Sequence, residues 1–446
     1  MEYSMPFISR PVQVRAARSR FDARWMLAIL LAILFSGLFQ IISQTSRFTL
    51  WGIWLLIWWL VIWNYSPANL SRLWKPALPL VVWFAVYGIW GAIASPIPVF
   101  AVLGRDFFRL LTIMMMVAVL TADRVSLRRF AYLIPWVLFL NLVVSIAFLE
   151  RLPLAQFLLH GDFANAETQI LDVRYAGLWG NANFAGMNTL ILLVLSAYGR
   201  GWLIRLGRAA GVGIIYLTAS RTSTYLLLLI GLLFLYNHLR YNPRARQIIV
   251  GCVIALAVVW LSGVEFRAML PEEGAFGRVF DPLQVNTEAA GEETRLNVME
   301  EWLPVLERGP WYGYGYGVMG GGAVMGTAFS TDIPYYGTHN MYLGTCIEDG
   351  FFGGISFLVL LGFGLLAALR ARLAPNDQTV VLALWLVAIV FSAFAHSLQT
   401  YLDGCAMYLL CFLLPGSTAL RSASQERRRH PGRGNGSSCR QVGRII

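Results

Sequence analysis

Charge is scarce in this chain: Asp, Glu, Lys and Arg make up 13% of its 446 residues, while AVILMFWYC make up 57%. Soluble globular domains carry about 25% charged residues, so an ordinary soluble enzyme is excluded. Lysine is nearly absent, with Lys75 standing against 34 arginines. The five cysteines (Cys252, Cys346, Cys405, Cys411, Cys439) are scattered without any C-x-x-C spacing, which leaves neither a zinc site nor a disulfide framework. A net charge of +11 does not signal nucleic acid here. The positive residues sit in short segments between apolar blocks, where they orient a membrane protein. No small-x-small cleavage site follows the basic first 24 residues, so the first apolar block is expected to be retained as a span.

What the chain has in abundance is apolar sequence in runs able to cross about 30 Å of hydrocarbon. Such runs lie near 25–43, 48–64, 77–95, 107–122, 130–149, 183–198, 209–219, 222–236, 247–262, 351–369, 379–395 and 399–415. The expected fold is therefore an all-α polytopic membrane protein of about twelve transmembrane helices. At 1.5 Å per residue the seventh run is too short to cross, so it must begin earlier, near Trp202, or be broken. The 16 tryptophans suit the two membrane interfaces, where an amphipathic ring sits between lipid and water.

Charge tests this layout. With the N-terminus inside, segments assigned to the cytoplasm hold 25 of the 35 Arg and Lys residues, the external segments hold 9, and Arg109 lies within the fourth span. That bias places both termini in the cytoplasm. The resulting divisions are a basic N-terminus over 1–24, spans one to nine over 25–262, a large external loop domain over 263–350, spans ten to twelve over 351–415, and a basic, disordered cytoplasmic tail over 416–446. Between residues 263 and 338 the loop carries eleven acidic residues against four arginines. Within it Leu296, Met299, Trp302, Leu303 and Leu306 recur at helical spacing after Thr294, a candidate N-cap, with a bend expected at Pro304. This reads as an amphipathic helix on the bundle or membrane surface.

Several external residues can do chemistry. Arg221 follows Ser220 at the outer end of the seventh span; it either faces a wet interior or snorkels to the surface. Arg174 opens a run through Gly177, Gly180, Asn181 and Asn183. Those glycines and asparagines permit a tight re-entry into the membrane, and the run also offers a guanidinium and two amides at one helix entrance. Arg295 falls in the first turn of the loop helix, where a cation opposes the helix dipole; an anion bound there, or a salt bridge to Glu292 or Glu293, accounts for it. Gly313-Tyr314-Gly315-Tyr316-Gly317-Val318-Met319-Gly320 has a formal G-x-G-x-x-G, but no strand precedes it and no G-K-[ST] follows, so it is read as a flexible loop whose Tyr314 and Tyr316 stack on sugar. His339, followed by Asn340, stands where the acidic loop returns to the membrane and can take a proton from a hydroxyl near neutral pH.

Taken together, Arg174 to Asn183, Ser220-Arg221, Thr294-Arg295 with Trp302, Pro310 and Gly313-Tyr314-Gly315, and His339-Asn340 with Tyr342-Leu343 and Gly350 resemble the O-antigen ligase/polymerase superfamily of bacterial membrane glycosyltransferases. The resemblance spans residues 174–350. It implies a GT-C-like, metal-independent, inverting enzyme of the inner membrane. Such an enzyme takes a glycan from undecaprenyl diphosphate at the periplasmic face, with no cofactor, and joins it to lipid A core or to a lipid-linked repeat unit. His339, Arg221 and Arg295 would then be catalytic, with Arg174, Asn181, Asn183, Arg278, Tyr314, Tyr316 and Asn340 binding substrate. Both Arg278 and Arg295 are candidates for the main loop arginine. No Asp-x-Asp or His/Asp cluster is placed for Mg²⁺, which leaves arginines to neutralise a leaving diphosphate. Other acceptors open to relatives include protein, and a polysaccharide flippase or transporter is a reading of a different class. A flippase predicts charges spread through the spans and inverted repeats, neither of which the sequence shows.

Overall fold

The computed structural model describes residues 23–38, 47–64, 71, 73–95, 99–122, 124–149, 177–179, 182–218, 220–241, 295–316, 340–371, 373–394 and 404–415. All regular structure among them is helical. We number the helices α1 (Ala23–Phe35), α2 (Arg47–Asn64), α3 (Leu78–Ala94), α4 (Phe100–Thr121), α5 (Arg124–Leu149), α6 (Ala182–Leu195), α7 (Trp202–Thr218), α8 (Arg221–Tyr241), α9 (Arg295–Arg308), α10 (Met341–Arg370), α11 (Pro375–Phe394) and α12 (Gly404–Pro415). Helices lie over eleven of the twelve expected spans; the expected ninth, 247–262, falls outside the described residues. Five stretches are long and apolar enough to cross a membrane: Lys75–Ala94, Arg124–Ala147, Thr222–Arg240, Met341–Arg370 and Pro375–Ala393. The described residues are thus all-helical, and their length and composition are consistent with a multi-pass membrane protein.

Helix boundaries follow local chemistry. α7 begins at Trp202, the earlier start expected for the short seventh run. α1 stops at Phe35, short of the expected 43, because the chain turns at Ser36 and Gly37, the latter at φ +83°. What ends it is the short turn Gly177–Trp179: the Trp179 indole N–H donates to the Phe35 carbonyl at 2.8 Å, and a Cβ on Gly37 would stand 2.5 Å from the Leu178 carbonyl oxygen. Asn141 of α5 holds the same turn, accepting from the Leu178 N–H at 2.9 Å and donating to the Ser36 carbonyl at 3.1 Å. α4 starts at Phe100, seven residues before the expected 107, which brings Arg105 and Arg109 onto one helix.

α5 and α7 pack closely where Gly207 lets α7 approach Pro135, the proline inside α5. α11 lies against α6, α8 and α10 and is the post they share. One end of the bundle is tied by Arg124 Nη2 to Asp377 Oδ2 at 2.8 Å and by Asn237 to Asn376 at 3.2 Å. The opposite end collects the C-terminus of α3 and the N-termini of α6, α8 and α10. Every one of these contacts agrees with helices that alternate in direction.

Candidate active site

Two groups of the expected residues gather at the Tyr316 end of the bundle. In the first, the Ser220 hydroxyl donates to Asn183 Oδ1 at 3.3 Å, and Ser223 Oγ donates to Ser220 Oγ at 3.0 Å. Gly186 makes this approach possible, because a Cβ there would overlap the Ser223 hydroxyl. The N-terminal turns of α6 and α8 therefore touch, and Arg221 is the first residue of α8. The Arg221 side chain lies outside the described residues, as do Arg174 and Asn181.

The second group is built on α9. Trp302 and Val305 are buried against Ile347 of α10, with Leu306, Tyr314 and Leu343 alongside; of the expected apolar face Trp302 and Leu306 lie here, Leu303 is instead 46% exposed, and the Leu296 and Met299 side chains lie outside the described residues. α9 starts at Arg295 and contains Pro304; the Arg295 side chain, Arg278 and His339 lie outside the described residues. Asn340 is the N-cap of α10, its side-chain oxygen accepting the Leu343 N–H at 3.0 Å. His339 thus immediately precedes a capped helix start that packs on the arginine-headed α9. Tyr342 donates to the Ile389 carbonyl of α11 at 3.0 Å, and α11 also contacts α6 and α8, so the two groups share one support.

The glycine run between α9 and α10 departs from expectation. Over its described residues, 313–316, it is no flexible loop but a strap clamped by backbone hydrogen bonds. The Tyr314 N–H donates to the Ile347 carbonyl and the Gly315 N–H to the Glu348 carbonyl, both at 2.8 Å, while the Tyr316 N–H reaches the Gly91 carbonyl of α3 at 2.9 Å. Gly313 and Gly315 take φ of +86° and +105°, and a Cβ on Gly313 would overlap the Glu348 carbonyl. Opposite them α10 itself breaks: Asp349 and Gly350 leave helical geometry, Gly350 at φ +70°, and a Cβ on Gly350 would overlap the Trp311 carbonyl. This break divides α10 just before residue 351, where the tenth span was expected to begin.

Tyr316 of the strap is not free to stack on a sugar as expected. Tyr316 is 1% exposed, and its hydroxyl donates to Asp106 Oδ2 of α4 at 3.3 Å. Burial, then the neighbouring Asp106 and Glu348, push its phenol well above the ordinary value, so it stays a neutral donor. The half-buried Tyr314 donates to the Val305 carbonyl at 3.2 Å.

Sequence reasoning missed the polar cluster beneath the strap. Tyr87 of α3 donates to the Glu348 carboxylate, and its ring meets Tyr316 edge-on at 5.9 Å. Asp106 pairs with Arg105 Nε at 3.1 Å and Arg109 Nη1 at 3.3 Å. Asp349 is 2% exposed, and among the described residues neither carboxylate oxygen has a hydrogen-bond partner. The available signal was Asp106 itself, an acid one turn before Arg109 inside an apolar helix. Among the described residues no three His, Cys, Asp or Glu side chains group closely enough to hold a metal ion.

No curated protein matches the chain. Residues 207–358, which run from within α7 through α8, α9 and the strap to just past the break in α10, match the family model described as O-antigen ligase. Through these 152 of its 446 residues the chain is similar to that family, which supports the resemblance to the O-antigen ligase/polymerase superfamily.

Proposed function

We propose that this protein transfers a glycan from undecaprenyl diphosphate to an acceptor sugar at the periplasmic face of the bacterial inner membrane. It acts either as a ligase onto lipid A core or as a polymerase onto a lipid-linked repeat unit. The observation that carries this reading is the gathering, within and beside the matched residues, of the α8 start at Arg221 with Asn183 and of the α9 helix headed by Arg295 with the capped start of α10 behind His339.

In this reading Arg221 and Arg295 grip the diphosphate and carry the charge that develops as it leaves, a task suited to the planar guanidinium fork. His339 removes the proton from the acceptor hydroxyl. In-line attack on the anomeric carbon breaks its bond to the phosphate oxygen and inverts the centre. No metal is required, since the arginines supply the cations. Arg174, Asn181 and Arg278 complete the donor contacts. Both termini and the arginine-rich end of the bundle then face the cytoplasm.

Deletion of the gene tests the reading and resolves the acceptor. Loss of core-linked glycan with lipid-linked polymer retained is the ligase outcome, and single repeat units on core are the polymerase outcome. An unchanged glycan profile would sink both.

A further inference from the structure

Arg105, Asp106 and Arg109 make an unequal set. They lie on the first three turns of α4, outside the residues matched to the family, and two guanidiniums share one carboxylate. Arginines four apart on one helix face repel, and Asp106 needs only one of them for neutrality. Each guanidinium offers five N–H donors; Asp106 takes one from each, and no other acceptor among the described residues engages either side chain. Asp106 is 5% exposed, whereas Arg105 is 47% and Arg109 23% exposed, so the carboxylate is the buried brace and the cations are the reachable part.

Depth and surroundings say what kind of anion fits. Counting from Phe100 at the head of α4, Arg105 lies about 7.5 Å and Arg109 about 13.5 Å along the axis, so the two cations stand one turn apart near one end of the helix. Phe100 and Val102 beside them are exposed apolar side chains at the head of the same helix. A ligand arriving there brings an apolar tail with its charge. Asp106 also accepts from Tyr316, which places the pair directly beside the strap and the break in α10.

We propose that Arg105 and Arg109, braced by Asp106, form a binding site for the phosphate of a membrane lipid, the polyprenyl carrier or a phospholipid headgroup. The fork of each arginine matches phosphate oxygens two at a time, and the excess positive charge of the set is neutralised on binding. The site deepens the proposed transfer reaction, on which the choice of a polyprenyl probe rests. It would hold the donor's lipid phosphate, or an adjoining lipid, before or after the diphosphate meets Arg221 and Arg295.

The test uses the full-length protein in detergent, titrated with undecaprenyl phosphate, with phosphatidylglycerol and with inorganic pyrophosphate. Arg105→Gln/Arg109→Gln should weaken lipid phosphate binding by at least about tenfold, the equivalent of 1.4 kcal/mol, while pyrophosphate binds poorly to both proteins. Dependence seen only with undecaprenyl phosphate identifies the carrier as the source, and equal dependence with phosphatidylglycerol identifies a phospholipid headgroup. Arg105→Glu, at the more exposed position, guards against a double variant that fails to fold and should also abolish binding. Unchanged lipid affinity in a folded double variant, or in Arg105→Glu, overturns the site. Arginine-dependent binding without any glycan transfer by the wild type would sink the functional reading alone, whereas transfer with arginine-independent binding would sink this inference alone.

Discussion

The Tyr316 hydroxyl donates to Asp106 Oδ2 at 3.3 Å across 210 residues of chain. It ties the strap that follows α9 to a helix far from it in sequence. Tyr316→Phe removes one buried hydrogen bond and leaves the ring, so it should cost about 0.5–1.5 kcal/mol. Tyr316→Ala also empties a buried aromatic site and should cost about 3–5 kcal/mol. Thermal unfolding in detergent ranks the two; equal, negligible losses would mean the strap is not fastened there.

The strap and the break in α10 depend on glycines that meet backbone on the other side. Gly350→Ala combines φ of +70° with overlap on the Trp311 carbonyl, and Gly313→Ala combines φ of +86° with overlap on the Glu348 carbonyl. Each should cost at least about 1–3 kcal/mol and expose the strap to protease. Gly231→Ala, in α8 with open space around its Cβ position, should stabilise by about 0.5–1 kcal/mol. A protease pattern that does not distinguish Gly350→Ala from Gly231→Ala would contradict the clamp.

At the other end, Arg124 and Asp377 form an asymmetric pair, the guanidinium half-exposed and the carboxylate buried. Arg124→Ala strands a buried carboxylate, whereas Asp377→Asn leaves an arginine that water can reach. The first should lower stability more, by about 1–3 kcal/mol, and thermal midpoints of the two variants read the order directly.

Topology is open to a direct check. The arginine bias predicts that reporters fused after Pro271 and after Arg421 report opposite sides of the membrane, the first periplasmic. A cytoplasmic signal after Pro271 would place α9 and its arginine on the wrong side for the proposed chemistry.

Much of the helix layout was legible because apolar length alone fixes it. The short seventh run pointed back to Trp202, where α7 begins, and the apolar spacing marked Trp302 and Leu306 on the face that α9 packs against α10 but included the exposed Leu303 and passed over Val305. Pairings at long range were not legible. Gly313 and Gly315 advertise unusual backbone, but whether for flexibility or close packing depends on Gly91 and Glu348, whose positions no local pattern gives. Asp106, between Arg105 and Arg109, drew no reading, because its partner Tyr316 lies 210 residues away in the chain. The Ser220 contact to Asn183 joins two stretches that the sequence had singled out separately.

Glycan transfer from an undecaprenyl-diphosphate-linked donor, measured with purified protein in EDTA, decides whether arginines take the place of a metal. The wild type should transfer in chelator, Arg221→Lys should lose much of the activity because the ammonium lacks the planar fork, and His339→Ala should fall by about 10²–10⁴-fold while remaining folded. Transfer abolished by EDTA and restored by Mg²⁺ would contradict the arginine mechanism and turn attention to Asp332 and Glu348 as ligands. Wild-type transfer by His339→Ala in EDTA would remove His339 as the base.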